Sequence, residues 1–338
     1  MTQVIYDSLT SIGWRFTKHT GEVGLEIETE SKTRYDRPVM KFWEAKDDGS
    51  LRDFGVEYIS KPVSRGVELR AALNEFKQKT DHLKFIPDSI STSVHVHINF
   101  LNDKWITLAN FMTLYYLVEP LLIRYSGPDR ISNLFCLPIR DAEAQIENAT
   151  GFISSIGSRR YKSLSLAAEN VKYSALNLGC FSKLGTMEVR TFRGVTDVAV
   201  IERWVNILMS IKDYAATEGL TPVKVLEMFR DLQGEIIYPI FGIFVGELNF
   251  PDKVGEMKKN LWYARKIATA STKFSDEWGF PKPKKMVKEH YREQLNKISN
   301  EKYKMSYGEL DYVYQLVIDE EFYNLMGGAP VVFDGNDQ

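Results

Sequence analysis

Between Gly24 and Glu30 the chain reads Gly24-Leu25-Glu26-Ile27-Glu28-Thr29-Glu30, an alternation that commits the segment to a strand with one apolar and one acidic face. Glu26, Glu28 and Glu30 stand on one side and Leu25 and Ile27 on the other. Carboxylates two residues apart on a strand lie about 7 Å from each other, because each residue advances about 3.3 Å. Such a row is tolerated where water screens it, which makes an acid-decorated solvent face the plain reading, or where cations bind it. The fold must bury the Leu25–Ile27 face and give the acidic face to water or to a ligand.

Three further segments bear on that choice. In Ser93–Phe100, the residues Val94, Val96, Ile98 and Phe100 share one face, leaving His95, His97 and Asn99 together on the other. A single strand histidine is usually a satisfied side chain, whereas two at i and i+2 offer imidazoles that can converge on one ion. In Met187–Arg193, Met187, Val189 and Thr191 oppose Glu188 and Arg190. That acid and guanidinium form either an ordinary cross-strand ion pair or a cation ligand beside a bidentate phosphate clamp. In Tyr173–Leu178, Asn177 shares a face with Tyr173, opposite Leu176 and Leu178; it either contacts substrate or satisfies neighbouring backbone. Carboxylates, imidazoles and arginine on the polar faces of alternating strands predict a curved sheet with a polar concave surface. A hard cation such as Mg²⁺ prefers oxygen ligands and shares them with phosphates, so the combination points to nucleotide-dependent chemistry without naming a reaction.

The rest of the chain supplies an α+β frame. Asp47-Asp48-Gly49-Ser50 is a turn, followed by a short strand over Phe54–Ile59 closed by Pro62. The spacing predicts helices over 65–83, Asp103–Tyr125 and Asp197–Ala216, the last with an apolar stripe at Val198, Ile201, Val205, Leu208 and Ile211. Strands over Tyr173–Phe181 and Thr186–Phe192 are expected to join through Ser182–Gly185, and 127–172 reads as loop-rich. The apolar run Trp105–Ile123 has membrane-spanning length, but Asn110, Glu119 and Pro120 assign it to a buried core helix. A change of character near 218–222 divides a sheet-bearing catalytic domain, 1–218, from a mainly helical region, 219–326. The last stretch, 327–338, reads as a Gly-rich, acidic and loose tail.

A net charge of −2 gives no basic excess for bulk capture of nucleic acid. The local basic stretch Lys282–Lys297 is either a contact surface for nucleic acid or an acidic partner, or a solvated face balanced by Glu289, Glu293 and Glu301. Cys136 and Cys180 are too few for a disulfide framework and read as reduced thiols of a cytoplasmic protein. The start of the chain lacks the charged head and apolar stretch of a signal peptide.

Taken in order, Gly24-Leu25-Glu26-Ile27-Glu28, Asp48-Gly49-Ser50-Leu51, Glu57-Tyr58-Ile59-Ser60-Lys61-Pro62, His95-Val96-His97, the Asn177-Leu178 strand and Gly185-Thr186-Met187-Glu188-Val189-Arg190 resemble the amidoligase family of the glutamine-synthetase and glutamate–cysteine-ligase superfamily. The resemblance covers roughly residues 20 to 215. It implies an antiparallel sheet curved into a funnel with helices on its outer face. It also implies ATP-dependent joining of a carboxylate to an amine or ammonia through an acyl phosphate. By the same resemblance Glu26, Glu28, Glu57, His95 and Glu188 hold Mg²⁺ or Mn²⁺, and His97, Arg190 and Arg193 contact ATP phosphates. Glu57 and Arg190 act at the reacting centre, with Asp48, Ser50 and Asn177 as substrate contacts. Phages and bacterial or fungal gene clusters often encode such enzymes, so a host cytoplasm is one setting it implies. This chain departs from the family's usual Cys-Gly pair before the His-x-His strand, carrying Thr92-Ser93 instead; the side chains stay small, so the strand is expected to survive. Arg159, Arg160 and Lys162 are further candidate phosphate or substrate contacts.

Two rival readings remain open on the sequence. A His-x-His strand also opens metal-dependent hydrolase sites for amide or phosphoester bonds, although His19, His82 and His290 lack strand-like metal spacing. The other rival is a non-catalytic binding protein that uses the basic stretch.

Overall fold

In the computed structural model the protein is described over residues 4–11, 13–16, 20–87, 89–131, 133–157 and 172–272. The basic stretch 282–297, the tail 327–338, Arg159, Arg160, Lys162, His19 and His290 lie outside these residues. The elements run α1 (Ile5–Thr10), β1 (Val23–Thr29), β2 (Trp43–Asp47), β3 (Val56–Ser60), α2 (Val67–Thr80), β4 (Ser93–Asn99), α3 (Trp105–Ser126) and α4 (Glu143–Gly157). They continue with β5 (Leu176–Asn177), α5 (Phe181–Leu184), β6 (Thr186–Arg193), α6 (Val198–Ala215), α7 (Pro222–Leu232), α8 (Ile237–Phe241), α9 (Val245–Leu248) and α10 (Lys253–Thr272). The strands form one open sheet in the order β2-β3-β1-β4-β6-β5, every pair antiparallel. The α+β class expected from the sequence is the class the chain adopts.

One face of the sheet is apolar and covered except along the edge strand β2. Leu25, Ile27, Val94, Val96, Ile98, Met187 and Val189 are all buried, with α3 packed on β6 and α6 on β4. Helix α6 starts where the sequence places it, because the Asp197 carboxylate caps it by accepting from the Ala199 and Val200 amides. Helices α7 and α10 pack on α3 and contribute Val225, Leu226, Phe229, Met257 and Ile267 to the same apolar core.

Helix α3 is buried inside the molecule along most of its length, and it runs through Pro120. Proline has no N–H to give to the carbonyl four residues earlier, which leaves the Tyr116 oxygen without its helical donor. Asn260 of α10 fills that gap: its side-chain amide donates to the Tyr116 carbonyl at 2.8 Å and to Glu119 Oε2 at 3.0 Å. Helix α10 therefore docks where the proline opens the ladder.

The structure differs from the sequence reading in three places. Trp43–Asp47 forms an edge strand whose polar composition hides it, only Trp43 being buried; charged side chains suit an edge that must not pair further. Where a loop was expected, α4 runs for 15 residues. Gly151 lowers its intrinsic propensity, but Ile146, Ala149, Phe152 and Ile153 are buried on one face, so packing outweighs propensity. The strand expected over Tyr173–Phe181 contracts to Leu176–Asn177, and Phe181–Leu184 is a helical turn instead of a hairpin. That turn ends at Gly185, whose φ of +70° suits a residue without Cβ; a methyl there would also meet Leu101.

Strand β6 carries a bulge. Val94 pairs with Phe192 but Val96 with Val189, so Arg190 and Thr191 together oppose His95. Phe192 thereby turns into the core, stacking on Trp204 at 4.7 Å between ring centroids, although strict alternation would have put it beside Arg190. The guanidinium of Arg130, itself buried, donates to the carbonyls of Arg190, Thr191 and Phe192 at 3.0–3.2 Å and reaches Thr92 at 3.4 Å. It occupies the gap where the regular ladder is interrupted.

The α3–α10 contact gives two expected outcomes. Asn260→Ala leaves a buried carbonyl without a donor and should lower the unfolding free energy by about 1–3 kcal/mol in urea titrations. The Glu119 carboxyl, on α3, is pushed up from 4.5 to about 8 by burial. The folded chain therefore keeps a proton that the unfolded chain releases, and this group's contribution to stability declines as pH rises from about 4.5 to about 8. Glu119→Gln should show a higher Tm than the parent at pH 9 and a similar one at pH 5.

Candidate active site

Sheet register assembles the polar face. Glu28 on β1 lies opposite Glu57 on β3, and Glu26 opposite His95 on β4. His97 lies opposite Glu188 on β6, which in turn lies opposite Asn177 on β5. Five of the six strands therefore project a functional side chain onto one surface, and the turn after β2 adds Asp48. Glu28 is 6% exposed, His95 2% and Glu188 3%, while Glu26, Asp48 and Glu57 are half-buried, so the acidic face is only partly open to screening water. Glu30 stands apart: its carboxylate accepts from the Ser89 and Ser91 hydroxyls and the Arg52 amide.

The hydrogen bonds form one network. Glu26 meets both histidines, His95 Nδ1 at 2.9 Å and His97 Nε2 at 3.0 Å. The Ser93 hydroxyl donates to Glu28 and lies 2.6 Å from His95 Nε2. Having a single proton, that hydroxyl must accept from the imidazole if it gives to the carboxylate, which fixes the Nε2 position as the donor. His95 Nδ1 then faces Glu26 at 2.9 Å and Glu188 at 3.3 Å. The Arg190 guanidinium lies 3.5 Å from the same nitrogen and brings a positive charge to this corner of the site. Arg190 donates to Glu188, and Asn177 fixes the other oxygen of that carboxylate at 2.7 Å.

The electrostatics report the same crowding. Glu57 is pushed up to about 8 by its own burial and by the carboxylates of Glu26, Asp48 and Glu28. Burial works against the Glu26 charge, yet hydrogen bonds and charge from His95 and His97 hold its carboxyl well below the usual carboxylate range. Glu188 is likewise held low against burial by Arg190, His95 and His97.

Two sets of oxygen-rich ligands fit hard divalent cations. Atoms of Glu26, Glu57 and His95 lie within 4.8 Å of one another, and so do atoms of Glu28, Asp48 and Glu57. Glu57 belongs to both sets, and each supplies the carboxylate oxygens that Mg²⁺ or Mn²⁺ accepts.

The structure brings together Glu26, Glu28, Asp48, Glu57, His95, His97, Asn177, Glu188 and Arg190. Asp48, expected as a substrate contact, stands among the acids. Ser50 gives both its amide and its hydroxyl to Asp48 at 2.8 and 2.7 Å and so orients that acid. Of its two alternatives, Asn177 shows the backbone one, its oxygen accepting from the Gly179 amide, and its nitrogen holds Glu188. Arg193, expected on phosphate, donates instead to the Ser126 carbonyl at 3.2 Å. Ser93 and Cys180 join the site without a sequence signal beyond proximity to His95 and Glu188. The Cys180 thiol donates to Glu188 at 3.1 Å.

A family model described as "Putative amidoligase enzyme" matches residues 23–212, from the first residue of β1 almost to the end of α6. The chain belongs to this amidoligase family. No match was found among curated proteins. The matched region of the amidoligase carries every residue of the cluster, and the family relationship places the chain among amide-bond-forming ligases.

The crowding at Glu57 gives a test. Without cations, the amidoligase should lose stability as pH rises towards about 8, because the folded state holds the Glu57 proton that the unfolded chain releases. Mg²⁺ or Mn²⁺ should therefore raise Tm more at pH 8.5 than at pH 6, and Glu57→Gln should remove most of that metal-dependent gain. Equal metal shifts at the two pH values would contradict the ligand assignment.

Proposed function

We propose that the amidoligase uses ATP to join a carboxylate to an amine or ammonia through an acyl phosphate, with Mg²⁺ or Mn²⁺ held on the acidic face of the sheet. The observation that carries this reading is the convergence of Glu26, Glu28, Asp48, Glu57, His95 and Glu188 beside the guanidinium of Arg190. When bound, divalent cations neutralise charge that develops on the transferring phosphoryl oxygens.

In this reading a substrate carboxylate oxygen attacks the γ-phosphorus and ADP departs. The amine then attacks the acyl carbon, phosphate departs and the amine proton passes to solvent. The chain's own work is positional and electrostatic. Glu26, Glu57 and His95 would hold one ion and Glu28, Asp48 and Glu57 the other, Glu57 being common to both sets. Arg190, tied to Glu188 and by its Nε to the Phe135 carbonyl at 3.4 Å, is held ready to bind phosphate oxygens without reorganising. Asn177 holds Glu188 in place, and His97 braces Glu26. Ser93 does the same for Glu28 and His95. Cytoplasmic ATP is the natural supply for such chemistry, and two free thiols fit a reducing compartment; for a phage-encoded chain that compartment is the host's.

The test is to incubate the full chain with ATP, Mg²⁺, hydroxylamine and a panel of amino acids, peptides and other carboxylates. ADP release should require the carboxylate and yield its hydroxamate. Glu188→Ala and Glu26→Ala should each lower the rate by a factor on the order of 100 or more. Cleavage of amides without ATP would support a hydrolase instead, and release of AMP would rule out an acyl phosphate.

A further inference from the structure

At the β5 end of the polar face, beyond the two oxygen-rich sets, lies a third group of different chemistry. His97, Cys180 and Glu188 each offer a ligand atom, and the three atoms lie within 4.8 Å of one another. The Cys180 sulfur is 3.1 Å from Glu188 Oε2. His97 and Glu188 are buried, while Cys180 is partly open, which leaves an approach for an ion from the sulfur side. We propose that His97, Cys180 and Glu188 form a separate cation site that takes a thiolate-accepting divalent ion of the zinc class.

Ligand softness distinguishes this site from its neighbours. The first two sets combine carboxylates with at most one imidazole and suit hard ions, whereas one sulfur, one nitrogen and one oxygen make a mixed set of borderline softness. With metal–sulfur bonds of about 2.3 Å and metal–nitrogen or –oxygen bonds of about 2.0–2.1 Å, neighbouring ligand atoms of a tetrahedral shell sit roughly 3.3–3.8 Å apart. The spacing here reaches that range with side-chain shifts of an ångström or so. Three protein ligands leave a fourth position free, as in zinc sites that also bind a water or substrate.

The surrounding residues orient the ligands as supporting groups around a metal do. Asn177 donates to Glu188 Oε2 at 2.7 Å and contacts the Cys180 sulfur at 3.5 Å, so one amide orders two of the ligands. The His97 ring has a partner at each nitrogen, Thr186 Oγ1 at 3.2 Å and Glu26 Oε1 at 3.0 Å; whichever nitrogen binds an ion, the other stays anchored. Because Glu188 also faces His95, an ion here would draw that carboxylate towards Cys180, giving the soft ion a means of controlling the hard-ion region.

Cobalt(II) is the probe, added to the full chain in excess Mg²⁺ and without ATP, so the result is independent of the ligase reading. The unaltered protein should bind one Co²⁺ with a near-ultraviolet thiolate-to-cobalt charge-transfer band that Zn²⁺ abolishes and Mg²⁺ does not. Cys136→Ser should keep the band, and Cys180→Ser, checked for folding by circular dichroism, should lose it. Absence of the band in the unaltered protein, or its persistence in folded Cys180→Ser, overturns the proposal.

Discussion

Repulsion among buried and half-buried carboxylates is the constraint around which this structure is arranged. Glu26, Glu28, Asp48, Glu57 and Glu188 share a surface that water cannot fully screen, with the Arg190 guanidinium set against them. Burial makes each charge costly unless it is paired or bound to a cation. Part of the compensation is visible in the protein: His95 and His97 on Glu26, Ser93 on Glu28, Asn177 and Arg190 on Glu188. The remaining repulsion concentrates on Glu57, whose carboxyl is pushed up to about 8. A residue common to both oxygen-rich ligand sets is where a shortage of positive charge should be felt most.

The rest of the fold keeps those groups from moving apart. The antiparallel register sets which side chains meet, and the apolar opposite face of the central strands pins that register, since a slip of one residue would drive carboxylates into the core. The β6 bulge puts Arg190 and Thr191 opposite a single residue, and buried Arg130 stitches the interrupted carbonyls. Farther away, Pro120, Glu119 and Asn260 lock α10 to α3 and so back the helix that carries the sheet. Rigid support of this kind suits a reaction in which the protein mainly positions ligands and charges.

Much of this was legible in the amino-acid sequence because period-two alternation specifies both the strand and its faces. Leu25 and Ile27 turned inward and Glu26 and Glu28 towards the site, as did Val94 and Val96 against His95 and His97. Legibility ended where backbone irregularity or packing intervened. The β6 bulge returned Phe192 to the core. The edge strand Trp43–Asp47 has a single buried residue and hence no apolar period, and α4 forms around Gly151 because its buried face outweighs propensity. Ser93 and Cys180 are invisible for another reason: small polar residues acquire a role only when another strand or turn brings a partner, and nothing in their local pattern announces it.

If the acids of the polar face are cation ligands facing a phosphate-binding arginine, metal and nucleotide must meet there. Anomalous diffraction from crystals grown with Mn²⁺ and a non-hydrolysable ATP analogue tests it most directly. One ion is expected among Glu26, Glu57 and His95, a second among Glu28, Asp48 and Glu57, and phosphate oxygens within reach of Arg190. Manganese absent from both sets, with the nucleotide bound away from Arg190, would contradict it.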